Sequence, residues 1–182
     1  MLLDIISAQS KAHTFAGFID DFSPREPVAV AGNYDDVSIA IADSAIRETI
    51  YRKLGGNHYA FTSLIHPEVY IDRSNRIGNG AIICGGVHLT VDIRIGACVI
   101  INLSSTIGHD VTIGDFTSVM PSVNISGGVS VGKNVLVGSG ATILQGLTIG
   151  DNAIIGAGAV ETRPVLPGKT VIGIPAREMK GR

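Results

Sequence analysis

The chain has 182 residues, with 14 Lys plus Arg against 16 Asp plus Glu and a net charge of −2. No basic excess exists to attract nucleic acid or an anionic membrane, so those partners are disfavoured. A hydrophobic content of 45% with only 16% charged residues excludes a disordered chain.

In chain order, residues 2–8 read as the end of a helix. Residues 15–19 are apolar and run into Asp20 and Asp21, a strand followed by a turn. Residues 37–42 alternate as a short strand. Asp43 or Ser44 can cap a helix over 45–54, with Glu48 in its early turns and Gly55-Gly56 beyond its end. Residues 58–64 form a third strand. Together they predict a small α/β domain over 1–62. A nucleotide-binding unit of this kind opens on a strand and a Gly-rich turn, and nothing before Leu2 supplies them, so the domain reads as truncated.

From residue 63 the composition changes. Nineteen of the 23 glycines lie after residue 76, whereas only 6 of the 30 charged residues fall in 77–160. Ile and Val together number 42 against 10 Leu, and β-branched residues favour strands. Aliphatic residues recur every six positions, from Ile65, Ile71 and Ile77 without a break to Ile143, Ile149 and Ile155. Hexapeptide periodicity is a β-helix signature. Three hexads make one triangular coil of 18 residues, with the aliphatic side chain inward and successive coils stacked about 4.8 Å apart. The expectation is a β-solenoid of about five coils over 63–161. It stops at Glu161, where the aliphatic position turns acidic. Residues 162–182 then form a C-terminal cap with one more strand over 171–174.

A face with so few charges should be covered, and a homotrimer of parallel prisms is expected. Cys84 and Cys98 are too few for a disulfide framework and fit a reducing compartment. Residues 1–13 carry Asp4 and no basic run before an apolar segment, so no secretory signal is read and a cytoplasmic location is expected. The uncharged runs 116–132 and 134–150 are broken by Gly, Ser and Asn and do not read as membrane spans.

Of five histidines, His13 and His58 stand beside strand starts and His66 precedes Pro67 at a turn. His88 has Tyr70 and Thr106 as column neighbours and no acid nearby. His109 is followed by Asp110, and residues 18 apart stack, so this pair faces Gly127 and Gly128 on the next coil. Glycines there leave room beside the imidazole and bare backbone N–H groups, which is what a general base and an oxyanion donor require. A zinc site is not expected: His66, His88 and His109 are 22 and 21 apart, and neither spacing is a multiple of 18.

The stretch from Asn102 through His109 and Asp110 to Phe116 resembles the active-site segment of sugar acetyltransferases related to sialic acid O-acetyltransferase. That family includes the N-acetyltransferases of nucleotide-linked 4-amino sugars. Gly17 to Asp21, Ile39 to Asp43 followed by Arg47, and Ile172 to Ala176 are similar to further family landmarks. The resemblance implies a left-handed parallel β-helix. It implies acetyl transfer from acetyl-CoA, as co-substrate and without a metal, to an amino or hydroxyl group of a sugar in bacterial glycan synthesis. His109 is then the general base, supported by Asp110. Ser118, Gly127, Ser139 and Ala157 match contacts to acetyl-CoA, which lies between neighbouring prisms of the trimer. Asp20, Asp21 and Ala42 match contacts to the sugar nucleotide. Ser118 stands where the best-matching enzymes carry a second His, and Gly108 where many carry Glu. Two other readings share the scaffold: an acyltransferase for a non-sugar acceptor, and a non-catalytic trimer that binds sugar nucleotides.

Overall fold

The computed structural model describes residues 36–55 and 59–179. The elements expected over 2–8 and 15–19, the acids Asp20 and Asp21, and His13 and His58 lie outside the described residues.

Asp36–Val37 (β1) and Ala60–Phe61 (β2) pair in parallel, with the helix Ser44–Leu54 (α1) between them. Asp43 is the N-cap: its side chain accepts from the Ile46 N–H at 2.9 Å, satisfying one of the free donors of the first turn. Arg52 and Lys53 in the last turn complement the negative end of the helix dipole. The strand expected over 37–42 ends at Val37. The carbonyls of Ile41 and Ala42 accept from the Arg47 guanidinium, so they are not offered to a ladder.

The rest of the described chain is a parallel β-solenoid of three sheets. Sheet I starts at Leu64–Ile65 and stacks Ile82–Ile83, Ile100–Ile101, Ser118–Val119, Leu136–Val137, Ile154–Ile155 and Thr170–Ile172. Sheet II runs from His88–Leu89 to Val160–Glu161, and sheet III from Arg76–Ile77 to Thr148–Ile149. Partners are 18 residues apart, as in Ile113↔Val131 and Ile125↔Ile143. Each hexad is a two-residue strand and a four-residue corner. The second strand residue points inward and creates an aliphatic column in which Ile83, Ile101, Ile113, Ile143, Ile149 and Ile155 are fully buried. Each such side chain contributes about 1.5–3 kcal/mol.

From Gly80 to Gly158 every sixth residue, one per corner, is in the left-handed region, filled by Gly at some corners and by Asp, Asn, Ser, Cys or Phe at others. A second corner position needs Gly for a different reason. A Cβ on Gly78 or Gly114 would lie 2.6 Å from the backbone of the next coil.

The coil does not leave the solenoid at Glu161. That residue keeps the inward position, pairs with Ile143 and is buried at 2% exposure. A shortened step then brings Val165 onto Ile149 in parallel, and Thr170–Ile172 onto Ile154–Ile155. About six turns result. The chain then folds back, Arg177–Glu178 pairing antiparallel to Thr170–Ile172, with Ala176 buried against the last turn. Among the described residues no helix is long and apolar enough to cross a membrane.

Candidate active site

His109 sits on the corner between sheets II and III, and its neighbour Asp110 takes the left-handed conformation at φ 59°. That turn brings the carboxylate back beside the ring, and Asp110 Oδ2 lies 2.8 Å from His109 Nδ1. The contact fixes Nδ1 as the N–H that donates to the carboxylate and leaves Nε2 as the basic nitrogen. Both side chains are 66% exposed in the single protomer.

The next coil supplies the floor. A Cβ on Gly127 would stand 2.5 Å from His109 Nε2 and 2.7 Å from Cε1, so the imidazole occupies the space a side chain would need. The Gly128 N–H donates to the His109 carbonyl at 2.7 Å and ties the two coils at this corner. Among the described residues no hydrogen bond takes the Gly127 N–H. A base with a free Nε2 and a backbone donor beside it is the equipment for acyl transfer: one takes a proton, the other steadies an oxyanion.

Ser139 and Ala157 stack at a different corner, between sheets I and II, joined by the Gly158 N–H donating to the Ser139 carbonyl at 2.8 Å. Both are exposed, and a Cβ on the following Gly140 or Gly158 would meet nothing within 4 Å. This edge is open and lined by small groups, which suits a long flexible co-substrate.

Ser118 departs from the corner position expected of it. It lies on a strand of sheet I, is 1% exposed, and its Oγ donates to the Ala42 carbonyl at 2.7 Å while accepting from Arg47 Nη2 at 2.9 Å. Ala42 is exposed at the turn before α1. Sequence reasoning marked Arg47 only as a landmark. The structure makes it the main tie between α1 and the solenoid, reinforced by Asn134 Nδ2 donating to Glu48 Oε2 at 2.8 Å and by Tyr51 meeting Phe116 edge-on at 5.3 Å.

The Cys98 thiol is buried, and burial pushes it up to about 11, so it is no nucleophile at neutral pH. His88 lies exposed on sheet II, opposite Thr106. Among the described residues no group of three or more His, Cys, Asp or Glu could hold a metal ion.

The chain is similar to several known proteins. The bacterial transferase hexapeptide family (six repeats) matches residues 110–145 and 128–160. A variant of perosamine N-acetyltransferase from Caulobacter crescentus, solved with CoA and GDP-perosamine, is 32% identical with a TM-score of 0.80. The match covers 82% of this chain and 71% of that one. WeeI from Acinetobacter baumannii is 33% identical over 83% of this chain and 74% of its own, with a TM-score of 0.79. The acetyltransferase domain of PglB from Neisseria gonorrhoeae, in complex with acetyl coenzyme A, is 28% identical over 79% and 70%, with a TM-score of 0.77.

Proposed function

Because the chain belongs to the hexapeptide-repeat acetyltransferases that include the nucleotide-amino-sugar N-acetyltransferases, we propose that it transfers acetyl from acetyl-CoA to the amino group of a nucleotide-linked sugar. The single observation that carries this reading is the His109–Asp110 pair, with its ring laid over Gly127. Relatives solved with CoA and GDP-perosamine favour an amine over a hydroxyl acceptor.

The geometry supports the following roles. The amine attacks the thioester carbon, and a C–N bond forms as His109 Nε2 accepts the proton. Asp110 stabilises the imidazolium through Nδ1–H. The Gly127 N–H donates to the tetrahedral oxyanion. Collapse breaks the C–S bond, and the proton held by His109 leaves with the CoA thiolate. Ser139 and Ala157 line the path of the pantetheine arm. Ala42, with Asp20 and Asp21, belongs to the acceptor side, on a substrate domain over 1–62 that precedes the solenoid.

A homotrimer fits the same reading. His109 and the Ser139–Ala157 column lie at opposite edges of sheet II, separated by one face of six residues, roughly 15–20 Å. A neighbouring copy that brings its sheet I–II edge to the sheet II–III edge carrying His109 lets one co-substrate meet both. The outward positions of sheet II are then His88, Thr106, Asn124, Thr142 and Val160, a face without a formal carboxylate or ammonium that packing can cover. A cytoplasmic location goes with acetyl-CoA and a nucleotide sugar as substrates.

The test is release of free CoA thiol from acetyl-CoA with GDP-perosamine and related nucleotide amino sugars. Turnover that requires the amino sugar is expected. Turnover with none of them, alongside activity on an amino acid or other non-sugar amine, would move the protein to a different acceptor class.

A further inference from the structure

We propose that Arg47 is a positioning residue for the acceptor, fixing the 41–43 turn against the coil that carries the catalytic base. This rests on the function proposed above.

Arg47 is completely buried, at 0% exposure, and among the described residues no carboxylate hydrogen-bonds its charge. Nε donates to the Cys98 carbonyl at 2.8 Å. Nη1 donates to the carbonyls of Ile41 and Ala42, and Nη2 to the Phe116 carbonyl and to Ser118 Oγ. Cys98 and Phe116 both have left-handed backbone, at φ 50° and 58°, and lie one coil apart in one corner column. The guanidinium therefore joins three pieces of chain: two stacked corners of the solenoid and the turn that starts α1.

Burial lowers this group to about 10, so it remains charged at neutral pH. Desolvating a cation is a poor way to gain stability, since well-packed apolar groups often serve as well or better. What the planar fork supplies is geometry, because its five donors have fixed directions. Here those directions determine where the backbone of Ile41 and Ala42 stands. The Ala42 carbonyl is held from two sides, by Nη1 at 3.1 Å and by Ser118 Oγ at 2.7 Å. Asp43 then caps α1, so the turn is fixed at both ends while Ala42 and Asp43 face solvent.

Two of the anchors, Phe116 and Ser118, belong to the same coil as His109 and Asp110. Any shift of the fork moves the acceptor turn relative to the base. The Ser139–Ala157 column, on later coils and another corner, is not attached to it.

Arg47→Lys and Ser118→Ala are to be compared with wild type by KM for GDP-perosamine, or for the nucleotide amino sugar that supports wild-type turnover, with KM for acetyl-CoA and melting temperature measured alongside. Lysine keeps the charge but not the fork. Arg47→Lys should raise the acceptor KM about tenfold or more, with kcat at saturating acceptor and the acetyl-CoA KM within about threefold. Ser118→Ala removes one of two donors to Ala42 and should raise the acceptor KM by about threefold. A loss of melting temperature with unchanged KM values would show a purely structural role and overturn the proposal. A rise confined to the acetyl-CoA KM in Ser118→Ala would return Ser118 to the co-substrate groove and overturn it as well. Wild-type protein that neither turns over nor binds any nucleotide amino sugar would instead defeat the proposed function, and the positioning role with it.

Discussion

A methyl group at position 127 would compete with the imidazole of His109 for the same space, 2.5 Å from Nε2. The ring is exposed and can swing away, so Gly127→Ala should fold normally and lose rate. Displacement by an ångström is enough to cost about 10²-fold in kcat, and a thermal melt should shift little. Asp110→Asn keeps the shape and removes the charge that steadies the imidazolium, so its loss in kcat should be smaller than that of His109→Ala. Glu161 offers a test of stability. It takes an inward position in an aliphatic column, is 2% exposed, and its Oε1 has no hydrogen-bond partner among the described residues. Burial raises its carboxyl above the ordinary carboxylate range, and the Arg177 guanidinium offsets part of that. The folded state holds the proton more tightly than the unfolded chain. Stability from this group is therefore complete below the unfolded value near ~4.3 and is lost as pH rises through the higher folded value. Glu161→Leu should flatten the dependence above ~4.3 and raise stability at neutral pH by about 1–3 kcal/mol, the scale for a buried unpaired polar group. Melting curves that keep the wild-type pH slope would contradict this.

At the scale of elements, the corner column of Ser139 and Ala157 is exposed and lined by small groups. Ala157→Trp should fill it and raise the acetyl-CoA KM by about tenfold or more while leaving the acceptor KM unchanged. Unaltered co-substrate kinetics would remove the groove from this edge. The solenoid itself was legible because each inward side chain recurs at a fixed interval and almost nothing else in the chain obeys it. His109, Asp110 and Gly127 were legible for the same reason: an 18-residue step brings them together on paper as it does in space. Arg47 was not, since an arginine in a polar helix has the same pattern whether it faces water or a row of carbonyls. Nor was Ser118, whose outward strand position becomes an interior one only because α1 lies over it. The sixth turn was missed because the step from Glu161 to Val165 drops two residues from the hexad, and a broken period reads as an end although the hydrogen bonds continue. The strand at 37–42 was overextended because its carbonyls serve a side chain that no local pattern reveals.

At the scale of the whole molecule, the proposed active site needs more than one protomer. His109 and Asp110 are two-thirds exposed, and the open column that suits CoA is on another corner. The proposed assembly of three copies with sheet II inward would bring the two together. Light scattering should return about three times the 18.9 kDa of one chain, and a stable monomer at micromolar concentration would contradict the assembly. The central claim is that this assembled site transfers acetyl to an amino sugar with His109 as base. Its most direct test is kcat for thiol release from acetyl-CoA in the presence of the nucleotide amino sugar, wild type against His109→Ala, with oligomeric state and melting temperature checked on both. The account predicts that the variant keeps its assembly and loses about 10²–10⁴ in kcat. A variant that retains more than about a tenth of the wild-type rate would contradict it, since losing a general base costs far more than that.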